Sequence, residues 1–239
     1  MSLRSYEYRH GDVRLLGQVA LPKADGPRPG VLVMHDARGQ GRLVRERAEA
    51  LAELGYVALA TDMYGEAAYY ENPLEGGEVM QSLHADPDYL RERVLVNYRA
   101  LCSLPEVDDE RVAAIGFCFG GECVLDLARS GTKVQAVVSY HGLLTTQRPA
   151  PEGGVRAHVT IYAGGQDPYA PPEHIDEFSS EMTQASASHD ITVFGDALHS
   201  FTDPYPRPIN NIPGVGYHAV ADRVSWAGTV ALLEEKLRA

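Results

Sequence analysis

The stretch Ala114-Ile115-Gly116-Phe117-Cys118-Phe119-Gly120-Gly121-Glu122-Cys123-Val124-Leu125 decides the fold. The apolar run from Val112 to Ile115 reads as a buried strand and residues 121–130 read as a helix, so Cys118 falls in the turn between them. Small residues at 116 and 120 permit the tight turn of a nucleophile elbow, whose usual form G-x-S-x-G carries serine where this chain carries cysteine. The free N–H groups at the helix start put partial positive charge beside the sulfur, which suits an anionic nucleophile. The N–H of Phe119, directly after it, is placed to hold an oxyanion. Taken alone, the same residues also fit an inert buried cysteine in a glycine-rich turn, or a phosphate-binding turn.

Working outward, the same grammar repeats. Val31-Leu32-Val33-Met34 is a continuous apolar strand, the pattern of a parallel sheet covered on both faces, and it ends at His35-Asp36-Ala37-Arg38-Gly39. Val44, Ala48 and Leu51 put a helix over 43–54 that Gly55 stops, and Tyr56 to Ala60 is the next strand. Strand, helix, strand in this order implies a right-handed parallel crossover. Residues 3–10 and 13–21 read as an N-terminal hairpin. Residues 62–86 are less regular, and read either as a lid or as a plain surface excursion with a short helix.

A helix over 88–103 follows, then the elbow. Strands at 134–140, 158–163 and 191–194 end at His141-Gly142, at Gly164-Gly165-Gln166-Asp167 and before His199. Pro171-Pro172 opens a further helix, residues 200–216 read as a long loop, and a terminal helix over 217–237 is expected to pack through Val220, Val224 and Trp226. The fold class is therefore α/β, with a mostly parallel central sheet and helices on both faces, in a single domain spanning 1–239.

Composition narrows the partners. A net charge of -12 repels a phosphate backbone and an anionic membrane surface, which excludes nucleic acid and membrane as expected partners. The N-terminus lacks the apolar core of a signal peptide, and no apolar stretch approaches the ~20 residues of a spanning helix, so a cytoplasmic protein is expected. Three cysteines, Cys102, Cys118 and Cys123, cannot complete a disulfide framework, and their spacing is wrong for a zinc knuckle. Neither a metal nor another cofactor is expected, and Cys102 and Cys123 read as core residues.

Ligands of an open parallel sheet bind beyond the carboxyl ends of its strands. His35-Asp36-Ala37, Cys118, Asp167 and His199 all stand there, and the last three follow the chain order nucleophile, acid, histidine of the α/β-hydrolase triad. An imidazole takes the proton of the thiol and returns one to the leaving group, and an acid holds the imidazole in the right tautomer. Singly, Asp167 also reads as a turn former and His199 as a surface or core histidine.

Together these segments resemble the dienelactone hydrolase family of α/β-hydrolases. Gly116-Phe117-Cys118-Phe119-Gly120-Gly121 is similar to its cysteine elbow, Gly164-Gly165-Gln166-Asp167-Pro168 to its acid loop and His199-Ser200-Phe201 to its histidine loop. The likeness extends to Thr61-Asp62-Met63-Tyr64-Gly65 and so covers nearly the whole chain. It implies Cys118 as nucleophile, His199 as base, Asp167 as orienting carboxylate, and the backbone N–H groups of Phe119 and Ala37 as the oxyanion hole.

Two departures bear on substrate. Asp36 stands where members that open dienelactone carry a Glu contacting the resting thiol, and Asp203 stands where they carry an arginine for the substrate carboxylate. A carboxylate there repels an anionic substrate unless Arg38 or Arg207 substitutes. The expectation is thus a hydrolase of a small-molecule carboxylic ester, lactone or thioester, working through a Cys-His-Asp triad and an acyl-enzyme, with a substrate other than dienelactone. Asp36, Tyr64, Tyr140, His141 and Phe201 are the expected pocket residues. The competing expectations are a catalytically silent binding or regulatory module on the same fold, and a redox-sensing thiol with Cys123 as resolving partner.

Overall fold

A computed structural model describes residues 3–205 and 212–237. Its centre is one eight-stranded sheet. The N-terminal hairpin forms as read, with β1 (Arg4–His10) antiparallel to β2 (Val13–Ala20). The remaining strands are β3 (Arg28–Met34), β4 (Val57–Ala60), β5 (Val107–Phe117), β6 (Ala136–Tyr140), β7 (His158–Gly164) and β8 (His189–Phe194). Their spatial order is β1-β2-β4-β3-β5-β6-β7-β8, and every pairing from β4 to β8 is parallel.

Side-chain alternation divides the interior into two cores, as the period of a strand requires. Leu32, Met34, Val112 and Ala114 face the layer made by α2 (Pro73–His84), α3 (Pro87–Cys102), α4 (Phe119–Arg129) and α5 (Pro172–Gln184). Val31, Val33, Ala113, Ile115 and Phe117 face α1 (Arg42–Glu53) and α6 (Ala219–Lys236). The central strands are buried on both faces, which is why they read as unbroken apolar runs.

Three elements differ from expectation. The segment 62–86 contains a full helix, α2, started by Pro73 and by Asn72, whose Oδ1 accepts the Leu74 N–H at 3.0 Å. Strand β5 starts at Val107 rather than 112, ahead of a shift in its register with β3 at Pro29/Gly30. Helix α6 packs through Ala221, Asp222, Ser225, Thr229 and Leu233, while Val220 and Val224 are about half exposed. The reason lies beneath it: the Tyr140 hydroxyl bonds Thr229, and Gly228 lies against the Tyr162 hydroxyl, so this helix needs small and polar residues inward. Trp226 is part-buried under the Arg47 guanidinium.

The elbow depends on backbone lying directly against backbone. A Cβ at Gly116 would sit 2.0 Å from the Gly120 carbonyl oxygen, and one at Gly120 would sit 2.2 Å from that of Met34. Gly120→Ala is therefore expected to lower the free energy of unfolding by about 3 kcal/mol, the upper end of an overpacking cost, because backbone cannot step aside as a rotamer can. Gly77→Ala, in α2 with open space around it, is expected to raise stability by about 0.5–1 kcal/mol. Urea denaturation of both variants measures the contrast.

Candidate active site

Cys118 is the N-cap of α4 and stands at φ 54°, a conformation that L-residues avoid. Its side chain caps nothing, so the sulfur is left for other partners. Its N–H is shared between the Tyr140 carbonyl at 3.0 Å and His141 Nδ1 at 3.2 Å. His141 Nδ1 is thereby an acceptor, and its Nε2–H donates to Thr202 Oγ1 at 2.8 Å, so the ring props the elbow from beneath.

The structure brings Cys118, His199 and Asp167 together across three loops. His199 Nε2 lies 3.1 Å from Cys118 Sγ, and His199 Nδ1 lies 2.8 Å from Asp167 Oδ2. The second Asp167 oxygen accepts the Tyr169 N–H at 2.8 Å, which fixes the carboxylate. The histidine backbone is pinned on both sides, its N–H to Gly214 O and its carbonyl to the Gly216 N–H, each at 2.9 Å. Burial by itself would lower the proton affinity of His199. The Cys118 sulfur and the Asp167 carboxylate outweigh it and raise the imidazole to about 10.

The loop after β3 forms the facing wall. His35 is fully buried and burial lowers its pKa; its Nδ1–H donates to the Asp36 carbonyl at 2.7 Å and its Nε2 accepts the Met63 N–H at 3.1 Å. Tyr64 donates its hydroxyl to the Ala37 carbonyl at 2.9 Å and stacks on Phe119. Burial raises the Tyr64 pKa, so the phenol keeps its proton. Asp36 does not rest on the thiol: Oδ1 accepts the Arg38 N–H at 2.8 Å, and Oδ2 lies 3.5 Å from Arg38 Nη2.

Cys118 and His199 open into a cavity of about 220 Å³ that Asp36, Ala37 and Arg38 also line. Its apolar wall comes from α2, through Pro73, Leu74 and Met80, and from Leu143, Tyr169 and Val215. Of the expected pocket residues, Asp36 lines the cavity and four do not. Tyr140 and Phe201 are core residues of the α1/α6 face, His141 is buried beneath the elbow, and Tyr64 stands behind Ala37 and Phe119. Strand parity is the cause for Tyr140, which shares a face with Ala136 and Val138. The missed wall residues had one signal: apolar Leu74 and Met80 within a proline-started helix. Arg207 lies outside the described residues.

Among the described residues, no group of three His, Cys, Asp or Glu side chains is disposed to hold a metal. No described helix is long and apolar enough to cross a membrane. Cys123 is buried in the core beside α3, and burial pushes its thiol well up.

A parallel sheet crossed by this elbow, with an acid and a histidine on later strand ends, defines an α/β-hydrolase. The chain belongs to the dienelactone hydrolase family, whose profile matches residues 15–237. It is 34% identical to a dienelactone hydrolase-like promiscuous phosphotriesterase from metagenomic libraries, with a TM-score of 0.94 and 99% of each chain covered. A dienelactone hydrolase structure from Klebsiella pneumoniae, so titled provisionally, superposes with a TM-score of 0.79 at 22% identity, covering 98% of this chain and 100% of that one. An Escherichia coli K12 relative, provisionally named carboxymethylenebutenolidase, is 28% identical over 87% of this chain and 77% of its own length. The protein is an ester or lactone hydrolase of this family.

The His199 imidazole is expected to titrate near pH 10, far above 6.5, in NMR spectra of its ring nitrogens. A folded-state pKa raised in this way stabilises the fold below about pH 6.5, and that contribution fades as pH climbs towards 10. Cys118→Ser removes the strongest raising influence and is expected to bring the midpoint down.

Proposed function

We propose that the protein hydrolyses small carboxylic esters, lactones or thioesters with Cys118 as nucleophile, His199 as acid and base, and Asp167 as the group that orients His199. The observation that carries this reading is the 3.1 Å contact between His199 Nε2 and Cys118 Sγ, backed by the 2.8 Å bond to Asp167. The sulfur and the Asp167 carboxylate raise the proton affinity of His199, which supports this imidazole as the holder of the thiol proton when the sulfur attacks.

Sulfur adds to the carbonyl carbon, and the N–H groups of Phe119 and Ala37 receive the oxyanion. Collapse of this intermediate expels the alcohol oxygen, which takes the Nε2 proton and leaves an acyl-thioester. The neutral imidazole then removes a proton from water as the water adds to the acyl carbon. The carbon–sulfur bond breaks, the acid leaves, and the thiolate and imidazolium are restored. One water is consumed for each ester cleaved.

The contact geometry favours this reading over a silent binding module, which has no need of an aligned imidazole. It also favours it over a redox pair, since the buried Cys123 thiol is a poor resolving partner. The metagenomic relative's title adds neutral phosphotriesters as candidate substrates, which the apolar wall of the cavity suits. The chain is further proposed to act as one domain in the cytoplasm, without nucleic-acid or membrane partners. Its single sheet and its net charge of -12 support this.

Cys118→Ala is expected to cut kcat on p-nitrophenyl butyrate by at least about 10³-fold while the urea transition stays in place. Iodoacetamide is expected to label Cys118 stoichiometrically before Cys102 or Cys123. Full turnover by the alanine variant overturns the proposal.

A further inference from the structure

We propose that Tyr64 is a positioning residue for the oxyanion hole: one phenol holds both the Ala37 carbonyl and the Phe119 ring, and so fixes the spacing of the two N–H groups that receive the oxyanion. This rests on the function proposed above and adds to it a residue that does not meet the substrate.

The Ala37 Cα joins two peptide planes, and each is held by a different side chain. The peptide between Asp36 and Ala37 is planar and trans, so the Asp36 carbonyl and the Ala37 N–H point in opposite directions. That carbonyl accepts the His35 Nδ1–H at 2.7 Å and the Gly39 N–H at 3.1 Å, which sets the direction of the Ala37 N–H. The next peptide, between Ala37 and Arg38, is held by the Tyr64 hydroxyl, which donates to the Ala37 carbonyl at 2.9 Å. Helix α2 packs on the same oxygen, since a Cβ at Gly76 would lie 2.3 Å from it. His35 therefore aims the donor, and Tyr64 fixes where its loop stands.

The second donor is reached through the ring of the same residue. Tyr64 stacks on Phe119 with centroids 5.9 Å apart and planes 19° from parallel, and Phe119 is the first residue of α4. The phenol is thus a strut between the loop after β3 and the elbow. A strut holds a distance only if its own base is stiff, and this one is. Asp62 Oδ1 accepts the N–H groups of Tyr64 at 3.0 Å and Gly65 at 2.7 Å, and Oδ2 accepts those of Ala67 at 2.8 Å and Leu16 at 2.9 Å. The Met63 carbonyl accepts an Nη1–H of the buried Arg93 at 2.6 Å, and the Met63 N–H ends on His35 Nε2, so both holders of the Ala37 loop share one base. Burial raises the Tyr64 pKa, which keeps the hydroxyl a donor well above neutral pH. An oxyanion hole accelerates a reaction through donors already in place when the charge develops.

The test is Tyr64→Phe, which removes the hydroxyl and keeps the ring on Phe119. On p-nitrophenyl butyrate, kcat and kcat/KM are expected to fall together by about 10- to 100-fold, less than the roughly 10²–10³-fold of a donor lost outright, while KM stays near its wild-type value. Butyraldehyde adds to the thiolate and puts its oxygen in the hole, so it is expected to inhibit the variant more weakly by a similar factor. Iodoacetamide alkylates sulfur by displacing iodide and forms no oxyanion, so its rate at Cys118 is expected to be unchanged. A general disturbance of the fold or of the nucleophile slows alkylation along with turnover and overturns the inference, as does an undiminished kcat. Gly76→Ala pushes on the same carbonyl from α2 and is expected to show the same split between turnover and alkylation. Should Tyr64→Phe fail to fold, parallel loss or no loss in Gly76→Ala overturns the inference instead. A wild type inert towards the ester removes the function proposed above, whereas an active wild type matched by Tyr64→Phe removes only this inference.

Discussion

Backbone resting on backbone at Gly116 and Gly120 is the constraint from which the rest of this structure follows. It lets α4 begin one residue after Cys118 and leaves Cys118 itself at φ 54°. A residue in that conformation cannot continue the strand or enter the helix, so its side chain stands at the sheet's rim. Two further supports fix the height of the sulfur: the Tyr140 carbonyl and the His141 ring, both of which take the Cys118 N–H. None of these groups is chemically reactive in its own right. Their contribution is to hold one atom where the histidine loop can reach it, and to do so before any substrate arrives.

The electrostatics of the site follow from this placement. Burial disfavours charge on any single group, but His199 is buried between a sulfur and a carboxylate, and those two neighbours reverse the sign of the effect. In the proposed mechanism this arrangement stores the proton on nitrogen, where the leaving oxygen needs it. Asp36 takes no share in this, because its oxygens are committed to its own turn and to Arg38. Lacking a competing carboxylate partner, the Cys118 sulfur faces the imidazole in this structure, which suits the proposed role of a nucleophile that needs no substrate-triggered rearrangement.

What was legible in the sequence was whatever is encoded locally. Gly116, Cys118 and Gly120 specify the elbow within five residues, and Asp167 and His199 each stand directly after a strand, so topology alone carries them to one rim. Parity and pairing were not legible. Tyr140 looks like a pocket residue at a strand end, yet the period of β6 turns it under α6, where Thr229 receives its hydroxyl. The same burial explains why Val220 and Val224 could not be the packing face: an inward valine would displace the tyrosines that the helix covers. The wall formed by Leu74 and Met80 depends on where α2 docks. That in turn depends on Gly76 meeting the Ala37 carbonyl and on His84 pairing with Glu122 at 2.9 Å, contacts no local pattern encodes.

The Arg38–Asp203 pair is the extreme case, joining residues 165 positions apart. Its burial also raises a question of purpose. Desolvating a guanidinium and a carboxylate costs several kcal/mol per ion, and their attraction inside a protein often does no more than return that cost. A buried pair of this kind is therefore weak as a source of stability and needs another reason to stand at the mouth of an active site. Placement supplies one: the pair ties the histidine loop, which carries Asp203, to the loop after β3. The bond to Asp203 and the Tyr69 ring hold the Arg38 guanidinium in place at the cavity wall.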